Sequence, residues 1–262
     1  MLWEEYDKIV KAVQTGRVET MEDLKLAISG GETVIVKTPE SIAKHENDLG
    51  GDNWKKEPNQ VFKDEIALAI TFDYGSTQNG RERVCAVTHC QRLGIKHLII
   101  PLEFMHRYFK SALLGSPEDI PDGNYNDENM KSTVVPFRNG IMLAIACGIA
   151  ESNGLKRVMI ANHSGDHSIY PDCRPAFVDA MSAAMKAGTY EGIEVYSPYC
   201  NIDKTEIARH GKALGIDYRE TYSCYKGRET HCGTCGTCTE RREALRLAGI
   251  DDKTIYESDL KK

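Results

Sequence analysis

Apolar positions along the chain switch between two periods, one near 3.6 and one of continuous β-branched runs, and the order of the switches predicts the architecture. In residues 2–14, Tyr6, Ile9, Val10 and Val13 share one helical stripe that Gly16 stops. Thr20 and Asp23 resemble the cap of a second short helix ending near Ser29-Gly30-Gly31, and Thr33–Lys37 then reads as a buried strand. A polar stretch over 45–60 with Gly, Asn and Pro predicts loop. Next come a strand over 66–72, a helix over 80–93 stopped by Gly94, a strand over 96–102 and a helix over 103–114. Residues 115–130, rich in Gly, Pro, Asp and Asn, predict a surface loop or lid. A helix over 139–152, a strand over 156–161, a helix over 175–186 and a strand over 193–197 follow. Asp203 and Glu206 are spaced as a capping box for a helix over 204–214. A cysteine knuckle and a short helix from residue 240 close the pattern. Helix alternating with strand predicts an α/β fold with a mainly parallel sheet covered on both faces.

Composition narrows this picture. With 262 residues and 41% apolar positions, the chain can bury the core of one large α/β domain with small additions. A formal net charge of −6 supplies no overall field toward nucleic acid or an anionic membrane. Lys226, Arg228, Arg241 and Arg242 near the knuckle are the residues a nucleic-acid reading would use, without the interleaved aromatics such a surface needs. No run reaches the roughly 20 apolar residues of a membrane span, and the opening Met1-Leu2-Trp3-Glu4-Glu5 is unlike a secretion signal. The expected compartment is the cytoplasm, where thiols stay reduced.

Nine cysteines therefore read as ligands or core residues rather than as a disulfide framework. Cys232-Gly-Thr-Cys235-Gly-Thr-Cys238 places three thiolates on a tight turn, and Cys224 completes an S₄ set of the kind zinc takes in closed structural sites. Gly233 and Gly236 are expected to supply left-handed backbone there. Unliganded buried cysteines and an iron–sulfur cluster are the competing readings.

Ligands of open parallel sheets sit outside the carboxyl ends of the strands. Phe72-Asp-Tyr-Gly75, Val135-Pro-Phe-Arg-Asn139, Asn162-His-Ser-Gly-Asp-His167 with Tyr170-Pro-Asp-Cys-Arg174, and Asp203-Lys204-Thr205-Glu206 all fall at such ends. In this order, and closed by the four-cysteine knuckle, they resemble the 7-cyano-7-deazaguanine synthase family of the PP-loop ATP pyrophosphatases, over roughly residues 66–247. The resemblance implies a Rossmann-like, adenine nucleotide alpha hydrolase-like sheet flanked by helices. It implies ATP with Mg²⁺ activating the carboxylate of 7-carboxy-7-deazaguanine, and ammonia or another amine converting it through an amide to a nitrile of the queuosine route. Zinc would be held by Cys224, Cys232, Cys235 and Cys238. Arg138, Asn139, Asp172, Arg174 and Lys204 would serve the reaction, with Asp73, Tyr74, Thr38, Ser41 and Asp166 on the nucleotide and base side. The implied division is 1–60 as a divergent helical segment with the first strand, 61–223 as the binding core, and 224–262 as the zinc knuckle with its helix. A homodimer or a protein partner is compatible with it.

Plainer roles compete at several of these positions. Arg138 and Asn139 also fit a helix cap, Asp172 and Arg174 a local ion pair, and Cys173 a packed small residue. Tyr74 also fits a rim aromatic. Asp166 between His163 and His167 could ligate a second metal, although surface histidines of a polar loop explain the same pattern. The family's Ser-Gly-Gly-x-Asp-Ser phosphate loop has no full match here. Ser29-Gly30-Gly31 runs into Glu32, Thr33 and Val34 and reads as a helix C-cap, which moves the loop position to Thr38-Pro39-Glu40-Ser41. A second reading of the whole chain is a non-catalytic relative that binds a deazapurine or a partner.

Overall fold

The computed structural model describes residues 33–37, 66–125 and 127–260. Five strands form one sheet in the order β3-β2-β1-β4-β5. They are β1 (Thr33–Lys37), β2 (Ile66–Asp73), β3 (Lys96–Pro101), β4 (Arg157–Met159) and β5 (Glu194–Tyr196). β2 is parallel to β3, and β4 is parallel to β5. β1 is antiparallel to both neighbours, so four strands share a direction and the central one opposes them.

That reversal corrects the expectation of a phosphate loop after β1. Thr33 pairs with Thr71, whereas Lys37 pairs with Ile66 and with Arg157. An antiparallel strand ends where its neighbours begin, so the chain leaves β1 at the amino edge of β2 and β4. The carboxyl ends of those strands lie at the opposite edge. Thr38 and Ser41 themselves fall outside the described residues.

The helices are α1 (Asn79–Leu93), α2 (Glu103–Tyr108), α3 (Arg138–Ser152), α4 (Pro175–Gly188), α5 (Lys204–Ala213), α6 (Gly236–Leu247) and α7 (Glu257–Leu260). The single helix expected over 103–114 is broken. α2 stops at Tyr108, and the Ser111 side chain accepts from Leu113 N at 3.2 Å to start a separate 3₁₀ turn, Ala112–Leu114. A serine hydroxyl offers the backbone an alternative to the helical ladder. Asp203 caps α5 by accepting from Glu206 N at 2.8 Å.

Alternation along β2 assigns the two faces of the sheet. Leu68, Ile70 and Phe72 join Met142, Leu143, Ala146 and Ala150 of α3 in the main core. Ala69 turns to the other face, with Cys90 and Leu93 of α1 and Met159 of β4. The span Glu128–Ser152 is long and apolar enough to cross a membrane by length and composition, contrary to the expectation that no such run exists. In its most apolar 18-residue stretch 56% of positions are buried in the protein, and the apolar residues of α3 pack on the sheet. Ala208 of α5 and Leu245 of α6 meet in a third cluster. All four knuckle cysteines belong to the main core, beside Tyr125, Met130 and Tyr256.

Candidate active site and metal centre

The site is built around the start of α3. Phe137 takes a left-handed conformation, φ 55°, the single non-glycine with positive φ among the described residues. Its ring folds over the first turn so closely that a Cβ on Gly140 would lie 2.3 Å from it. This turn releases Arg138 toward the sheet, where Nη1 donates to Tyr74 Oη at 2.8 Å with the guanidinium 5.7 Å from the ring centre. Asn139, 1% exposed, is clamped from behind: its backbone N–H donates to Asp172 Oδ2 at 2.9 Å, and its Nδ2 donates to Asp172 O and Cys173 Sγ.

In front of Asn139 lies a cavity of about 30 Å³ whose walls include Arg138, Asn139, Asn162, Asp166, Lys204 and Tyr225. Asp166 Oδ1 accepts from Tyr125 Oη at 2.9 Å, and its Oδ2 accepts from His163 N at 3.1 Å. His163 Nδ1 accepts from Gly165 N, which leaves Nε2 to face Asp166 Oδ1 at 3.3 Å. Burial first, and then the Lys204 charge, pushes the His163 pKa down. Lys204 Nζ is 2.6 Å from Glu240 Oε2 and 5.3 Å from the Tyr125 ring centre. Tyr170 Oη bridges Thr133 Oγ1 at 2.7 Å and Tyr225 Oη at 3.3 Å.

Four of the residues singled out from sequence therefore meet on one cavity: Arg138, Asn139, Asp166 and Lys204. Others take different places. Tyr74 is fully buried under Arg138 rather than on a rim. Asp73 pairs with Arg83 at 2.9 Å and does not line the cavity. Asp172 sits one layer back as the cap of α3. Arg174 is exposed and donates from Nε to His167 O at 2.8 Å, so the expected pair with Asp172 is replaced by a backbone contact. His163 is buried, not a surface histidine. Among the described residues the four cysteines are the metal-competent cluster found, and the Asp166 group is not one.

Glu82, Tyr125, Ser223, Tyr225 and Thr237 line the cavity without having been singled out. Ser223 and Tyr225 flank Cys224 and Thr237 precedes Cys238, so adjacency to the ligands was the available signal. Tyr125 belongs to the segment read as a surface loop or lid; it is buried there with Ile120 and Met130.

The cysteines fit a single tetrahedral ion. Zinc–thiolate bonds of about 2.3 Å give sulfur–sulfur edges of about 3.8 Å. Cys232 Sγ and Cys238 Sγ are 3.8 Å apart, Cys224 Sγ and Cys235 Sγ 4.0 Å, and all four sulfurs lie within 4.8 Å of one another. Backbone N–H groups of Cys232, Thr234 and Cys235 point at these sulfurs from 3.3–3.4 Å, the arrangement that suits thiolates. Gly233 has the expected positive φ. Gly236 does not: it opens α6, and its missing Cβ leaves room for Met130, whose Sδ would stand 2.8 Å from one. His231 is no ligand. It packs between Tyr222 and Tyr256, and burial lowers its pKa to about 3.

A phosphate cradle is not supplied by the described residues at the carboxyl edge. The turn after β2 spends its amides on Asn79, whose Oδ1 accepts from Tyr74 N at 3.1 Å and Ser76 N at 3.0 Å.

Comparison with known proteins covers the same part of the chain. The family model described as queuosine biosynthesis protein QueC matches residues 60–249. A 7-cyano-7-deazaguanine synthase of Porphyromonas gingivalis is 62% identical over 192 residues, 73% of this chain and 87% of the relative. Enzymes of that name from Desulfotalea psychrophila (53% over 198 residues, 75% and 90%) and, as synthase 1, Colwellia psychrerythraea (43% over 203 residues, 78% and 90%) are also similar. The cavity and the four cysteines fall inside the family match, whereas β1 precedes it.

Proposed function

The chain belongs to the queuosine biosynthesis protein QueC family, and from that premise we propose that it converts the carboxylate of 7-carboxy-7-deazaguanine to a nitrile. ATP is the co-substrate that activates the carboxylate, and ammonia is the nitrogen donor. Activation joins the carboxylate to AMP and releases pyrophosphate. Ammonia then displaces AMP to give the amide. A second ATP adenylates the amide oxygen with release of pyrophosphate, and AMP leaves with that oxygen as the nitrogen gives up its protons to form the nitrile. The names of the relatives support a synthase over a non-catalytic binder.

The observation that carries this reading is the convergence of Arg138, Asn139, Asp166 and Lys204 on one cavity at the carboxyl edge of the sheet. Arg138 supplies fixed positive charge for the acyl oxygen that gains negative charge when the amine adds. Asp166, held by Tyr125 and the His163 backbone, offers a carboxylate to N–H groups of the base or the amine. Asp172 acts through Asn139, fixing its backbone and amide. Zinc, where bound, closes the cysteine tetrahedron and fixes Ser223, Tyr225 and Thr237, the cavity residues next to its ligands.

Incubation with ATP, Mg²⁺, an ammonium salt and 7-carboxy-7-deazaguanine is expected to release AMP and form the nitrile. Absence of AMP at every metal and ammonium concentration would retire the synthase reading. Tight binding of the deazapurine without any binding of ATP would favour the non-catalytic one.

A further inference from the structure

The free space in front of Asn139, about 30 Å³, exceeds the roughly 10–15 Å³ that one water-sized molecule needs. A fused bicyclic base needs several times more. Buried polar groups in its wall without a hydrogen-bond partner among the described residues include Asn139 Oδ1 and Ser223 Oγ. The Asn139 amide cannot turn to relieve this, because Nδ2 is engaged by Asp172 O and Cys173 Sγ. Oδ1 is thus a fixed acceptor at a 1% exposed residue, in the wall of a space sized for a small molecule. Buried acceptors of this kind are rarely left without a donor.

The rest of the wall favours a small occupant rich in N–H. The Asp166 carboxylate stands there, as do the rings of Tyr125, Tyr170 and Tyr225, whose faces attract cations. The two wall cations are already engaged, Lys204 by Glu240 at 2.6 Å and Arg138 by Tyr74 Oη at 2.8 Å. Water brings two donors to this set, whereas ammonia brings three and ammonium four.

We propose that this cavity is the binding site of the amine co-substrate, holding one ammonia or ammonium through Asn139 Oδ1, Ser223 Oγ and Asp166. The proposal rests on the synthase reading for its choice of amine. It assigns the nitrogen donor a fixed place, separate from the base.

The test uses the full-length, zinc-loaded protein with ¹⁵N-ammonium. An ion held away from water exchange gives a protected ¹H–¹⁵N signal, which is expected in the native protein and lost in Ser223→Ala and Ser223→Val. In turnover, Ser223→Ala should raise KM for ammonium at least tenfold while leaving KM for the deazapurine acid within twofold. No protected signal in the native protein, or a Ser223→Ala variant with unchanged KM for ammonium, would overturn the assignment and leave the cavity to a structural water. If the protein shows no ATP-dependent turnover under any condition, the synthase reading fails, and the ¹⁵N signal alone still decides this site.

Discussion

At the residue scale, the site depends on buried polar groups that hold one another. Lys204 and Glu240 have side chains only 18% and 16% exposed, and they link the start of α5 to α6. Breaking such a pair strands a charge, whereas removing both members is nearly neutral. Lys204→Met is therefore expected to cost about 2–4 kcal/mol in urea unfolding. Lys204→Met combined with Glu240→Leu should return to within about 1 kcal/mol of the native protein. Turnover should stay low in both variants, because the restored packing does not restore the ammonium group at the cavity. Recovery of activity with stability would assign Lys204 a purely structural role. The basic residues near the knuckle obey the same logic. Lys226 is bound to Asp122, Arg228 to Glu257, and Arg242 lies over Tyr256 and bonds Asp259. Arg241 is buried on Tyr218 O and Thr221 Oγ1. These charges are used internally, which removes the basic surface that a nucleic-acid reading needs.

At the element scale, α3 shows how a helix terminus becomes a site. Its N-cap residue Phe137 makes no side-chain cap hydrogen bond, and the first turn is served instead by Asp172 from a 3₁₀ turn 33 positions away. A carboxylate there satisfies a backbone donor and meets the positive end of the helix. Asp172→Ala should cost about 1–2 kcal/mol in urea unfolding, and Asp172→Asn should recover much of it through the amide oxygen. The Asn139 amide should exchange with solvent faster in Asp172→Ala than in the native protein. Unchanged exchange would show that Asp172 is not the cap. The residues of this arrangement were legible in the sequence, but their division of labour was not. A carboxylate that caps a distant helix and one that touches substrate look alike until the chain is folded.

At the scale of the whole molecule, the four-cysteine knuckle is part of the main core rather than an appendage. Cys224, Cys232, Cys235 and Cys238 are buried with Tyr125, Met130 and Tyr170, and Thr77 of the β2–α1 turn donates to Tyr225 O. Removing the metal should therefore loosen the cavity as well as the C-terminal segment. One zinc per chain is expected on release by a thiol-modifying reagent, and a cobalt-substituted protein should show the absorption of tetrahedral thiolate coordination. Chelation under mild denaturant should lower Tm by roughly 10 °C or more, because a metal bound only by the folded state adds its binding energy to stability. A protein with full native Tm after metal removal would reduce the knuckle to a self-sufficient cysteine core.

The sequence by itself determined most of the long helices and strands from residue 66 onward, because apolar period and glycine stops are local properties. The break after Tyr108 needed the Ser111 contact seen in the fold. The sequence also picked out the four cysteines that can hold a metal, whose spacing on a tight turn leaves few other geometries. Only the tertiary structure decided strand direction. Thr33–Lys37 reads as a strand whichever way it runs, and hydrogen bonding to β2 and β4 made it antiparallel. Tertiary structure also sorted Arg138, Asn139, Asp166 and Lys204 into the cavity and sent Asp73 and Arg174 away from it. Contact between residues far apart in sequence is a property of packing, and no local pattern encodes it.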